Sequence, residues 1–486
     1  MSISAAISNA YSGLSAVSRR AETISSNVAN ALNENYTRRE VMTSERVIGG
    51  TGSGVKVENI FRAVDVLATS QRRATGAELG NAAMKSDAIT RMAEMLGQPG
   101  DARALATQVL RLENSMRAAA DAPQSEALRS NLLSDASGLA KSLNSISTQT
   151  SAVRMEADAT IARNVQTVNS ALKEIEAVNT EIRIRGAGSN DTAALMDERA
   201  RLIDKISDLI PIRQISRDKG EIALYSQNGA ALIDGAANVL EFTPTPVITH
   251  DMTLASTALS GISINGRPVT MGSGAGQLDG GALAAAFEVR DVIAPEFNSR
   301  IDAMARDLVD RFQSPAVDPS LASGDAGLFT DNGAAFLPAD ELGLAGRIDI
   351  NALVDPAQGG DLWRLRDGIG AVAPGPNGDD SQLRRMLETM TAQLAPGAAT
   401  GVITLSSATS LAAGITGIVA GSASRQEDQT AYQMGQFDIL REGELAMVGV
   451  DSDYEMQQLL LVEQAYAANA RVISTADMMM QTLLEI

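Results

Sequence analysis

The sequence predicts a mainly α protein with inserted β structure, in which the N- and C-terminal helices pair as a coiled-coil stalk. A long-helix bundle and a small outer β domain complete it. Three observations predict this class. Apolar residues at Ile3, Ile7, Ala10, Leu14, Val17, Ala21, Ile24 and Val28 alternate steps of four and three, the heptad spacing of a narrow helical seam. The same period returns at the far end over Leu459, Val462, Tyr466, Ile473, Ala476, Met480 and Leu483, with Asn469 in the slot between Tyr466 and Ile473. Between them, Gln124 to Arg185 carries no proline and one glycine, Gly138, while Leu132, Leu139, Leu143, Ile161, Leu172 and Ile182 hold one face. Neither terminal stripe can be buried by a lone helix, so the ends pair or pack on other chains.

Taken in order, the first seam helix runs to about residue 31, and Asn33 to Tyr36 breaks it with polar, turn-prone residues. Gly49 to Gly54 is flexible, and Val55 to Phe61 alternates like a short strand. Residues 64–97 and 101–120 read as helices closed by Gly97 and Pro123. Residues 124–185, if unbroken, form a rod of about 90 Å at about 1.5 Å per residue. Asn190, Asp191 or Thr192 can cap the next helix, which Pro211 stops.

Residues 212–270 change character. Short β-branched runs at 212–215, 221–226, 231–233, 239–242, 261–264 and 268–271 are separated in places by Asn228-Gly229 and Asn265-Gly266, which suit hairpin turns. A helix over 283–312 is expected to bend at Pro295. Residues 314–404 read as a continuation of the β module, with strand-like pieces at 347–350 and 401–405 and a helix near 382–394. Helix returns over 406–448, and the closing seam starts at Ser452. Three units follow: a terminal coiled-coil polymerisation domain (1–60 and 446–486), a helical bundle (61–211, 281–315 and 405–445), and an outer β-rich domain (212–280 and 316–404).

Composition narrows the function. The 486 residues suit roughly two to four domains. Aromatics are only 3% with a single tryptophan, Trp363, so helices pack closely without bulky anchors. A net charge of −19 argues against a nucleic-acid partner, which needs clustered Lys and Arg. With no cysteine there are no disulfides or thiolate metal sites. The first charged residue is Arg19, so a cleaved secretory signal is not expected. The most apolar run, 411–421, is about half the length a bilayer demands, so no membrane partner is expected.

No constellation for catalysis stands out. His250 is the only histidine and reads as a solvated loop residue. Gly272, Gly274 and Gly276 lack the Lys-Ser/Thr of a phosphate loop. Asp379-Asp380 and Glu427-Asp428 read as helix-start carboxylates rather than a metal or acid-base pair. No enzyme, cofactor or metal is therefore expected. Met478-Met479-Met480 divides between seam and a second apolar face. Asn469 has two readings: a buried amide that selects register and partner number, or a group facing water at the edge of a looser bundle.

Ser12-Gly13-Leu14, Ser26-Asn27-Val28-Ala29-Asn30 and Tyr36-Thr37-Arg38-Arg39 resemble the amino-terminal signature of axial flagellar proteins. The run from Gln464 to Asp477 and Thr482-Leu483-Leu484 resemble the matching carboxy-terminal signature. The long helices of 101–209, with Asn190-Asp191, Asp197-Glu198-Arg199 before a helix and Gly280-Gly281-Ala282-Leu283, are similar to the hook-associated protein 1 (FlgK) family. One departure is Asn33-Glu34-Asn35-Tyr36 in place of the family's usual glycine turn, where Asn35 can supply the left-handed backbone.

The resemblance implies a structural protein that leaves the cell through the flagellar type III export channel and resides in the extracellular flagellum. There it self-associates in a ring at the hook–filament junction, touching hook protein and the next hook-associated protein. It also implies an export chaperone acting on the carboxy-terminal region and terminal segments that become helical on assembly. The assembly residues expected are Ile3, Ile7, Leu14, Val17, Ile24, Val28, Leu459, Val462, Tyr466, Asn469, Ile473, Met480 and Leu483. The competing readings are an adhesin-like surface protein and a hook- or rod-type axial protein.

Overall fold

The computed structural model describes residues 3–33, 36–48, 51–98, 100–186, 190–271, 274 and 276–484. The left-handed turn expected at Asn35, the caps expected from the Asn190 and Asp191 side chains and part of the 272–276 glycine cluster lie outside the described residues. Helix α1 (Ile3–Ala29) leads into an antiparallel hairpin, β1 (Arg39–Ile48) and β2 (Thr51–Arg62). The sequence shows the second strand and misses the first. Bulges at Met42/Thr43 and Glu45/Val47 break the two-residue alternation by which a strand is read. Asp65 then caps α2 (Val66–Leu96), its carboxylate accepting from the Ala68 N–H at 2.9 Å.

Helices α3 (Leu105–Asp121) and α4 (Glu126–Arg185) follow. All 60 residues of α4 form one helix, about 90 Å long at about 1.5 Å per residue, and it is the spine of the body. Its first half packs with α2, α3, the buried residues between Val289 and Met390 and the start of the helix at 408–419, its second half with α5 (Asn190–Ser207) and the β segments after it. Those segments are a four-stranded antiparallel sheet, β3 (Ile212–Ser216), β4 (Ile222–Ser226), β5 (Ala231–Asp234) and β6 (Ala236–Ala237). A three-stranded one follows, β7 (Leu240–Glu241), β8 (Ser263–Ile264) and β9 (Arg267–Pro268).

Helix α6 (Gly281–Glu288) continues through one π turn, Val289–Ile293, into α7 (Ala294–Phe312). The irregularity expected at Pro295 thus lies one turn earlier. Pro295 sits in the first turn of α7, where a missing N–H costs little.

Residues 316–404 differ more from expectation. They hold one two-stranded sheet, β10 (Phe329–Asp331) with β11 (Ile348–Ile350), two short helices, α8 (Arg364–Asp367) and α9 (Ser381–Thr391), and several 3-10 turns. The strand expected at 401–405 is absent; Leu394 and Ser406 make an isolated bridge instead. This segment does not share a core with 212–280. Leu328, Phe329, Leu365 and Met386 pack with α3, α7 and the first half of α4, whereas Leu224, Ile233 and Ile262 pack with its second half. One long helix offers two separate apolar patches, which short β-like runs cannot reveal. Helix α10 (Ala408–Val448), capped by Ser407, packs along α2, and α11 (Ser452–Leu484) closes the chain. Glu427-Asp428 therefore lies inside α10 and not at a helix start, while Asp379 does accept from the Ser381 N–H at the start of α9.

Candidate assembly interface

The two terminal helices pair. Asn27 meets Glu455 through a 2.9 Å hydrogen bond, and Gly13 faces Asn469, whose Oδ1 would lie 2.8 Å from a Cβ added at Gly13. Both steps, from Gly13 to Asn27 and from Glu455 to Asn469, are two heptads long, so α1 and α11 run antiparallel in a constant register. The hairpin joins them: the Val55 N–H donates to Ser12 Oγ at 3.0 Å. These elements form one stem.

The structure places the expected seam residues unevenly. Ile24 and Val462 are buried, as are Ala10 and Ala476 on the same stripes. Ile3, Ile7, Leu14, Val17, Val28, Leu459, Asn469 and Ile473 are half-buried. Tyr466, Met480 and Leu483 are 49%, 43% and 63% exposed. The stem thus uses α1 more completely than α11. Along α11, Leu460, Leu461, Val472, Met478 and Met479 are also exposed, and most of the signature from Gln464 to Asp477 points outward. Asn469 is half-buried and satisfies its amide within its own helix, donating to the Ala465 carbonyl at 2.9 Å. It marks a close helix approach that Gly13 makes possible.

The polar centre of the stem was not legible from periodicity. Asn27 Nδ2 donates to the Arg39 carbonyl at 3.0 Å as well as to Glu455. Its Oδ1 accepts from the Arg39 N–H at 3.1 Å and from the Tyr36 hydroxyl at 2.8 Å. All four capacities of one buried amide are used, and it ties α1, the approach to β1 and α11 together. Burial pushes the Glu455 carboxyl up from its ordinary value, opposed by the Asn27 hydrogen bond, and burial likewise raises Tyr36. The available signal was the motif itself, Ser26-Asn27 followed by Tyr36.

Arginines fasten the stem to the body. Arg39 and Arg62 both reach Asp197 of α5, at 3.4 and 2.5 Å. Arg72 pairs with Asp204 at 3.0 Å and with Glu444 of α10, and Arg73 pairs with Asp204 at 2.6 Å. Asp197-Glu198-Arg199 lies inside α5, not before a helix. Arg199 is buried and bonds only neutral oxygens, Asn179 Oδ1 at 2.9 Å and the Gly220 carbonyl at 2.8 Å. Burial first, and the Arg62 charge second, lower it to about 10.

Elsewhere the body offers polar struts. His250 is half-buried rather than solvated, with Nε2 3.4 Å from Ser147 Oγ, and burial, then the Arg154 charge, lowers its pKa. Among the described residues no group of three or more His, Cys, Asp or Glu could hold a metal ion, and no helix is long and apolar enough to cross a membrane.

The chain joins its two ends in a stem below a helical body, and both parts are similar to axial structural proteins of the bacterial flagellum. Residues 89–316 match the FlgK helical domain of flagellar hook-associated proteins, and residues 441–486 match the C-terminal region of flagellar basal body rod FlgEFG proteins. Flagellar hook-associated protein 1 of Bacillus subtilis (strain 168) is 24% identical over 98% of this chain and 97% of its own length. The same-named protein of Escherichia coli (strain K12) is 24% identical over 48% of this chain and 44% of its own. A solved structure of the hook junction protein FlgK from Burkholderia pseudomallei is 18% identical, with a TM-score of 0.44 over 54% of this chain and 47% of that one. The chain thus carries the FlgK helical domain and is similar to flagellar hook-associated protein 1 over nearly its whole length. It is a structural component of the flagellum associated with the hook, in a family of structural proteins rather than enzymes.

Proposed function

We propose that this chain forms the junction between hook and filament, as a ring of copies that meets hook protein on one side and the next hook-associated protein on the other. The observation that carries this reading is the apolar surface that α11 leaves in water: Leu461 and Met478 off the heptad stripe, and Tyr466 and Leu483 on the stripe that binds α1, are each about half exposed or more. Apolar area left in water on a helix already paired on its other side favours further chains, at about 25 cal/mol per Å² buried. In this reading the terminal units, 1–60 and 446–486, are the polymerisation domain, and 61–211, 281–315 and 405–445 form the bundle that spaces them. The outward α11 is also where an export chaperone would shield apolar surface before type III export. A stem of two helices and one hairpin is marginal alone and gains order on assembly.

Removing residues 457–486 should leave the body folded and yield hooks without filaments, with filament subunits released to the medium. Normal filaments in such a strain would overturn the junction role.

A further inference from the structure

A cleft of about 340 Å³ opens where stem meets body, lined by seven arginines, Arg213 and Arg441 among them, against three carboxylates, Asp197, Asp204 and Glu444. This local excess of positive charge lies in a chain whose net charge is −19. The cleft also carries apolar surface: Val64, Val66 and Leu445 line it and are 50%, 76% and 43% exposed. A cationic and apolar recess suits a polypeptide face that is acidic and apolar better than a small anion, which would use only the charge.

The chain itself displays such a face. Asp453, Met456, Leu460 and Glu463 are all exposed and follow one another by steps of three, four and three along α11, so they form one stripe with a carboxylate at each end and two apolar side chains between. The stripe is distinct from the buried side of the helix, where Glu455 and Val462 face α1.

We propose that the arginine-rich cleft seats the Asp453, Met456, Leu460 and Glu463 stripe of a neighbouring copy of this chain. Cleft and stripe are different surfaces, so the contact is head-to-tail, the kind that closes a ring when its rotation allows. The proposal rests on the ring reading above and adds to it the contact that orients successive subunits. Two partly exposed charge sets make this contact weaken with salt, whereas the apolar seams do not.

The absence of cysteine gives a clean test. Chains carrying only Arg213→Cys are mixed with chains carrying only Glu463→Cys, assembled on hooks and oxidised. A disulfide-linked pair of chains is expected in the mixture and from neither variant alone. The pair Val372→Cys with Glu463→Cys, one of them on the outer segment, should give none. Charge provides a second arm: Arg213→Glu with Arg441→Glu should lower incorporation into hooks about tenfold at low salt, and Asp453→Arg with Glu463→Arg should restore it. Rings that assemble, fail to cross-link and ignore the charge reversals would overturn the cleft contact while leaving the junction role standing. If no copies associate on hooks even in the parent chain, both fall.

Discussion

Asn27 and Glu455, 428 positions apart, meet side chain to side chain at 2.9 Å inside the stem. Both are almost fully buried, at 1% and 3% exposure. A carboxylate in that setting is tolerable only because the amide donates to it.

Asn27→Ala should therefore do more than delete one bond. It leaves Glu455 and the Arg39 N–H and carbonyl without their buried partner, a loss of about 2 kcal/mol from the stem. Urea-dependent proteolysis is the check: cleavage within residues 3–62 should begin at lower urea than in the parent, while α4 stays protected.

Gly13 tests the close approach of α1 and α11. As a helix residue its change to Ala gains about 1 kcal/mol of propensity, and the added Cβ meets Asn469 2.8 Å away, so the two effects oppose. Gly13→Leu has no such balance and should destabilise the stem by about 2 kcal/mol through overpacking. Asn469→Ala in the same chain should recover part of it, a non-additivity that thermal unfolding of the double-mutant cycle measures.

Asp302 gives the body a pH dependence. Burial raises it from 3.8 to about 6, against the N–H groups of Gly343 and Ala345, which donate to it at 2.8 Å each. Because the folded value lies above the unfolded one, its stabilisation is complete below pH 3.8 and is lost as pH rises through about 6. His250, lowered in the fold, acts with the opposite sign as it takes up a proton. Relative to Asp302→Asn, the parent should gain about 1 kcal/mol of body stability between about pH 6 and 5. Urea midpoints at the two pH values read this directly; equal changes in both proteins would contradict it.

The waist between the two cores depends on a buried ion pair. Arg290 Nη1 meets Asp158 Oδ1 at 2.6 Å with both side chains at 1% exposure or less. The other Asp158 oxygen accepts the Thr245 N–H at 2.7 Å, and Arg154 Nη1 and Nη2 donate to the Thr249 and Met252 carbonyls. Arg290 Nε and Nη2 also meet the Asp291 carboxylate at 2.8 and 2.9 Å, so Asp158→Ala leaves the guanidinium one carboxylate and strands the Thr245 N–H, and should cost about 2–3 kcal/mol. Hydrogen exchange should show its first loss of protection over 243–262, ahead of α3.

By itself the sequence determined the period of the elements. The heptads at both ends announced paired helices, because a stripe recurring every three and four residues has one helical face to bury. The proline-free run over Glu126–Arg185 announced one unbroken helix. The motif residues at the two termini were legible as a set, yet periodicity pointed to Ile3 and Leu483 and passed over Asn27 and Glu455. A hydrophobic stripe says which face is covered and nothing about the polar group that fixes the register at its end.

Tertiary structure alone decided the rest. It put Asn27 opposite Glu455 and Gly13 opposite Asn469, contacts between positions hundreds of residues apart that no local pattern encodes. It split 212–280 from 316–404, since each was drawn to a different half of α4. And it left most of the α11 outer face in water, because α1 is one helix wide and covers only the side it touches.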